Sequence, residues 1–222
     1  QDRLPIARGL VLDYLKSHDR SSQQVWVRIN PLNTPLSLPD LVAVMPGKPD
    51  GIVLPKPLNA SDVLQLDHFL SALEQREGIK AGHTRILPVA TEVAGALFSL
   101  NTYAGCSARL AGLTWGAEDL ATAVGASTNK KDNGEFDDTF VLARSLCLLA
   151  AAHAGVQAID TLSGGNKQKV VVGRLLAHRL SVYLFDEIAE GVDIASRKTL
   201  FRFVRDEVSR DSAVLMASNV VS

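Results

Sequence analysis

The chain has 222 residues, of which 46% are hydrophobic and 21% charged, and its net charge is −1. That length and balance suffice for a substantial core, while near-neutral charge without a basic tract excludes the footprint of a nucleic-acid binder or a polybasic membrane anchor. The only cysteines, Cys106 and Cys147, show no Cys-x-x-Cys spacing and no accompanying histidine cluster. They predict buried, reduced thiols in a cytoplasmic protein, not a disulfide scaffold or a structural zinc site.

Leu4, Ala7, Leu10, Val11, Tyr14 and Leu15 recur at helical spacing and predict an amphipathic helix, not a signal peptide, at the start. A chain that opens inside a helix without an initiator Met leads us to expect a preceding segment. VWVRIN, residues 25–30, is a strand closed by the turn signal Asn30-Pro31. A short helix follows near 38–44, and GIVLPK, 51–56, is a second, fully apolar strand. Val63, Leu66, Phe69, Leu70 and Leu73 place a helix over 62–77. RILPVATEV, 85–93, is a third strand and 94–103 a helix. ARLAGLTWGAEDLA, 108–121, holds a fourth strand that ends in a turn at Gly116-Ala117-Glu118-Asp119. Residues 138–155 form a further helix, and VQAID, 156–160, begins a fifth strand. The apolar tract LCLLAAAHAGVQA is shorter than the roughly 20 residues that span a bilayer and contains His153 and Gln157, so a packed helix is expected and direct membrane insertion is not.

Apolar strands alternating with helices signal a parallel sheet covered on both faces. In such folds the polar residues at the carboxyl ends of the strands line the site. Arg28, Lys56, Glu92 and Asp119 each occupy that position, which makes them the candidate functional residues of this half.

These segments carry a family resemblance. VRIN at 27–30, GIVLPK at 51–56, LPVATEV at 87–93, GLTWGAEDLA at 112–121 and AGVQAID at 154–160 resemble, in order and spacing, the citrate lyase beta-subunit-like group of the HpcH/HpaI aldolases. The resemblance implies a TIM barrel that binds Mg2+ and makes or breaks a carbon–carbon bond beside a carboxylate or an acyl-CoA thioester. It implies Glu92 and Asp119 as metal ligands, Arg28 as the guanidinium that grips a substrate carboxylate, Lys56 as polar support in the catalytic site, and Glu118 as a neighbour of the ligands. The residue types suit the chemistry, because carboxylates hold a hard cation that neutralises a developing enolate, and a guanidinium binds a carboxylate bidentately as a lysine cannot. In the family a threonine follows the glutamate, whereas here Thr91 precedes Glu92 and Val93 follows it, so a displaced hydroxyl and a weakened metal site are expected. The family's first two strands would lie before Gln1. A barrel of about 250 residues closes with eight strands, and the five found here predict a barrel that is truncated and inactive if nothing completes it.

Past Asp160 the pattern changes. LSGGNKQK, 162–169, resembles the signature motif of sugar-importer ABC ATPases, VYLFDE, 182–187, their Walker B strand, and GVD, 191–193, their D-loop, with a helix expected over 196–208 and a strand over 213–217. The resemblance implies that Ser163, Gly164 and Gly165 meet a γ-phosphate at a helix N-terminus, that Asp186 holds Mg2+ and that Glu187 polarises the attacking water. Ile188 and Ala189 stand where proline and threonine are usual, and no GxxxxGK[ST] loop occurs in the sequence. ATP is therefore expected only with a partner subunit.

The expected fold is α/β: an incomplete TIM-barrel-like (β/α) segment over 1–161, then a partial P-loop-NTPase-like α/β segment over 162–222. The expected function is a Mg2+-dependent carbon–carbon lyase acting on a short carboxylic acid or its CoA thioester. The alternatives are a sugar-transporter ATPase fragment and a fusion without activity of its own. The tail strands are expected to pair with the open edge of the barrel sheet, and such an edge predicts homo-oligomers.

Overall fold

The structure, a computed structural model, describes residues 4–18, 24–163, 182–186 and 213–217. It divides into two units, one formed by residues 1–18 and 26–158 and the other by 19–25 and 159–222.

In the first unit, β1 (Trp26–Arg28), β2 (Gly51–Leu54) and β3 (Arg85–Pro88) form a parallel sheet in which Val27 stands opposite Ile52 and Ile52 opposite Ile86. β4 (Gly112–Thr114) runs parallel to β3 through the bridges Ile86–Leu110 and Val89–Thr114, and the Ala90 N–H donates to the Thr114 carbonyl at 2.7 Å. β5 (Gln157–Ile159) pairs with β4. The strands thus stand in chain order, which is how a (β/α) barrel adds them. β2 is buried along its whole length, as a strand covered on both faces must be.

Local chemistry sets the helix ends. α3 (Ala60–Glu77) begins at Asn59, whose side chain accepts from the Ser61 N–H at 2.8 Å, while Asp62 reaches back to the Leu58 N–H at 2.6 Å; it ends at Gly78 in the left-handed region, φ +61°. α5 (Asp138–Ala154) is capped by Asp137 and closed by Gly155 at φ +67°. α2 (Ser37–Val44) lies where the sequence placed it.

Three expectations change. Residues Ala94–Tyr103 form 3₁₀ turns instead of an α-helix, since Val93 offers no side-chain cap and the first turn carries no acid. The expected turn at 116–119 is the start of α4 (Ala117–Ala123): Gly116 is its extended N-cap residue, and Glu118 and Asp119 sit in the first turn, where negative charge favours a helix. α1 (Leu4–Ser17) forms as read, but only Leu15 of its apolar face is buried; Leu10 and Tyr14 remain exposed. It is held by the Arg8–Asp40 ion pair at 2.8 Å and by Leu15, whose side chain lies over Gly47. Cys147 is buried as expected, whereas Cys106 is only half-buried, and both are free thiols. Among the described residues no helix is long and apolar enough to cross a membrane.

Trp26 lies flat over Gly51, its cross-strand partner, and a Cβ at 51 would sit 2.2 Å from the ring. Gly51→Ala should therefore cost about 1–3 kcal/mol by overpacking, read as a lowered urea midpoint at unchanged m-value; a midpoint equal to wild type would show that the ring moves aside freely.

In the second unit, β6 (Thr161–Ser163), β7 (Val182–Asp186) and β8 (Ala213–Ala217) form a three-stranded parallel sheet in the order β6-β7-β8. β7 and β8 were expected as strands. Their described pairings are with β6 and with each other, not with the edge of the first sheet. β6 and β8 satisfy the two hydrogen-bonding edges of β7. Ser163 ends β6 in register with Asp186, and the helix expected to follow it lies outside the described residues. Gly164, Gly165, Glu187, the GVD motif and the expected helix over 196–208 lie outside the described residues.

Candidate active site

The four strand-end residues of the first unit converge, although only Arg28 lies on a strand. Arg28 is the last residue of β1, Lys56 lies two residues beyond β2, Glu92 four beyond β3, and Asp119 in the first turn of α4. Arg28 Nη2 stands 3.4 Å from Glu92 Oε1 and 3.8 Å from Asp119 Oδ2. Lys56 touches both carboxylates: its backbone N–H donates to Glu92 Oε2 at 2.7 Å, and its Nζ pairs with Asp119 Oδ1 at 2.8 Å. The backbone of Lys56 is left-handed, φ +52°, a conformation that costs a lysine energy and is held only where the surroundings dictate it.

Glu92 forms the floor. Its side chain is 4% exposed, against 34–42% for Arg28, Asp119 and Lys56, which rim the opening. Burial pushes the Glu92 carboxyl up to about 7 against the opposing pull of Arg28 and of the Lys56 amide, and the charge and hydrogen bonding of Asp119 push the same way. Two carboxyl groups in hydrogen-bonding contact compete for one positive charge, a proton in the metal-free protein.

That donor set fits a hard divalent cation. Among the described residues no group of three or more His, Cys, Asp or Glu side chains comes together, so the protein offers the carboxylate pair alone. Mg2+ is bound in this way, through one or two carboxylates with the remaining positions left to substrate and water.

The surrounding residues build the pair. Thr91, fully buried, accepts from the Gly116 N–H at 3.1 Å through its hydroxyl, tying the Glu92 loop to the residue that opens α4. The hydroxyl that precedes Glu92 is therefore employed in joining the segments that carry Glu92 and Asp119. A Cβ at Gly116 would lie 2.8 Å from Glu92 Cγ, so Glu92 fits only against a glycine. Glu118 turns away from the pair and accepts from Asn129 Nδ2 at 2.7 Å, holding the loop that follows α4. Sequence reasoning did not find the roles of Gly116 and of the Lys56 backbone; a glycine two positions before a pair of acids was the one signal for the former.

Residues 5–174 match the HpcH/HpaI aldolase/citrate lyase family. The chain is 34% identical over 164 residues to citrate lyase subunit beta of Haemophilus influenzae, an alignment that covers 73% of this chain and 54% of that protein. It thus spans about half the length of the curated relatives it matches over this region. Its fold is similar to that of a Mycobacterium tuberculosis CitE structure solved with magnesium, acetoacetate and coenzyme A, with a TM-score of 0.58 at 24% identity, covering 98% of this chain and 64% of that one. A separate stretch of 61 residues, 28% of the chain and 12% of the relative, is 41% identical to the ribose import ATP-binding protein RbsA 2 of Burkholderia cenocepacia. With the family match extending over most of its length, this chain belongs to the HpcH/HpaI aldolase/citrate lyase family.

Proposed function

We propose that the first unit carries the site of a Mg2+-dependent carbon–carbon lyase that acts on a short carboxylic acid or its CoA thioester. The observation that carries this reading is the convergence of Arg28, Lys56, Glu92 and Asp119 from four successive β/α segments on one half-open cluster. Family membership and the magnesium, acetoacetate and coenzyme A bound to the M. tuberculosis relative support it.

Glu92 and Asp119 are the residues that would hold the cation. When bound, Mg2+ would act as a Lewis acid that stabilises negative charge on an enolate oxygen. Arg28, on the rim, is placed to grip the substrate carboxylate through its planar guanidinium and so to fix the bond to be cleaved. The burial of Glu92 keeps the floor of the site at low dielectric, where each of these charge interactions is strengthened. Lys56 touches both carboxylates, Glu92 through its backbone N–H and Asp119 through its ammonium.

Isothermal titration tests the reading. Mg2+ should bind the chain, and Glu92→Ala and Asp119→Ala should each weaken binding by at least tenfold. Absence of binding, or binding unchanged in both variants, would remove the lyase assignment.

A second reading concerns residues 162–222. Their LSGGNKQK and VYLFDE motifs, the RbsA 2 similarity and a parallel sheet whose β7 ends at Asp186 favour a fragment of a sugar-importer ATPase joined to the lyase segment at about Thr161. In that reading Ser163, Gly164, Gly165, Asp186 and Glu187 address ATP held by a partner subunit, and the chain as a whole is a fusion. ATP binding that is lost in Ser163→Ala would favour it; ATP binding indifferent to that substitution would not.

A further inference from the structure

With Glu92 ionised, the cluster holds two cations and two carboxylates, and it is balanced before any metal arrives. Arg28 Nη2 stands 3.4 Å from Glu92 Oε1 and 3.8 Å from Asp119 Oδ2. Lys56 Nζ sits on Asp119 Oδ1 at 2.8 Å, in direct ion-pair contact. A divalent cation brings two further positive charges to the same oxygens, and like charges at contact distance in a half-buried site repel. One resident cation has to yield. Lys56 is the one built to do so: its ammonium is a point charge on a flexible four-carbon stem with an exposed tip, whereas the guanidinium is planar and directional.

We propose that the Lys56 ammonium is a resident counter-ion of the metal-free site, which competes with the divalent cation for Asp119 and swings out when the metal loads. This rests on the magnesium reading of Glu92 and Asp119 given above. The residue has two anchors that can part company. Its N–H stays on Glu92 Oε2 at 2.7 Å, fixed by the left-handed backbone at φ +52°, while the side chain is free to leave Asp119. The carboxylate pair is thus held open and electrostatically quiet without metal, and Glu92 keeps its orientation when the ammonium departs. Lys56 is on this account a positioning residue whose charge sets metal affinity.

The test is calorimetric titration of the full chain with MgCl2, comparing wild type with Lys56→Met, Lys56→Gly and Lys56→Arg. Removing a unit charge adjacent to a divalent cation should tighten Mg2+ binding roughly ten- to a hundredfold in Lys56→Met. Lys56→Gly should tighten it likewise. Because methionine retains the backbone strain and glycine relieves it, a shared gain in affinity tracks the charge and not the backbone. Lys56→Arg, which keeps the charge, should stay within a few-fold of wild type. Affinity unchanged or weakened in both neutral variants, with wild type binding, would overturn the competition and make Lys56 a support for Asp119. Absence of Mg2+ binding in wild type and in all three variants would instead overturn the magnesium reading itself.

Discussion

Arg109→Met should destabilise the protein by about 3–5 kcal/mol, the cost of leaving a buried carboxylate without its partner. Glu74 is 1% exposed, and its two oxygens accept from Arg109 Nη1 and Nη2, both at 2.8 Å, and from the N–H groups of Thr84 and Gly82, also at 2.8 Å. Arg109 Nε pairs with Asp67 Oδ1 at 2.6 Å, and Nη2 meets Ser71 Oγ at 3.0 Å. Asp67, Ser71 and Glu74 lie on one face of α3, while the Arg109 carbonyl accepts from the Ile86 N–H of β3. One guanidinium therefore fastens α3 to the strand pair β3 and β4. Burial alone would raise the Glu74 carboxyl, but Arg109 and the two amides more than reverse it and hold it below the usual range. A carboxyl lowered in the folded state adds stability that is present above its unfolded pKa and is lost as pH falls through the folded one. The gap between wild type and Arg109→Met, read from urea midpoints, should accordingly narrow under acid conditions, where both carboxylates protonate and the guanidinium loses its partners. Adding Glu74→Gln to Arg109→Met should recover part of the loss, because the two groups act as a pair. A single-variant loss below about 1 kcal/mol, within the range of an exposed ion pair, would contradict this account.

Much of the architecture was legible because its signals are local. Fully apolar runs such as 51–54 must be covered on both faces, which points to a parallel sheet. Asn59 and Gly78 bracket α3 by cap chemistry alone. Arg28, Lys56, Glu92 and Asp119 were found because a polar residue directly beyond a buried strand is either a surface cap or part of a site, and four in succession favour a site. What was not legible depended on partners distant in sequence. Arg109 reads as one more basic residue in SARLAGL, and nothing near it tells that three residues of α3, 35 to 42 positions earlier, surround its guanidinium. The polar face formed by Asp67, Ser71 and Glu74 on α3 was a hint, but solvent would have satisfied it equally.

The turn expected at 116–119 shows a different limit. Gly116-Ala117-Glu118-Asp119 was read as chain reversal, although acids in the first turn are equally a helix-start signal. The helix prevailed because the Thr91 hydroxyl holds the Gly116 N–H and Glu92 occupies the space a side chain at 116 would need. That same tertiary contact turns Asp119 toward Glu92, so the misread turn and the assembly of the site have one physical cause. The N-terminal helix failed in the opposite sense. Its period was read correctly, but a period states only that a face is apolar, and Leu10 and Tyr14 stay exposed.

The affinity of the chain for Mg2+ should rise with pH up to about 7, by as much as tenfold per unit, and then level off. Burial raises the Glu92 carboxyl from its ordinary 4.5 to about 7, with Asp119 adding to the shift against the pull of Arg28 and the Lys56 amide. Below that value the metal-free site holds a proton that an incoming cation must expel, so binding and proton release are linked one to one. Stability without metal follows the same group in the opposite sense. A carboxyl raised in the folded state binds its proton more tightly there, so its contribution is complete below 4.5 and is lost as pH climbs to about 7. In EDTA the melting temperature should therefore fall across this window, and saturating Mg2+ should reverse the trend. Glu92→Gln removes the titrating group; its EDTA melting curve should lose this component of the slope, and Mg2+ should bind at least tenfold more weakly, the amide being a poorer donor to a hard cation. Titration in two buffers of different ionisation enthalpy measures the protons released per Mg2+, expected near one at pH 6 and near zero at pH 8.5. An affinity that is flat from pH 5.5 to 7.5 would mean that Glu92 is already ionised in the folded protein, and that Arg28 and Lys56 together outweigh its burial.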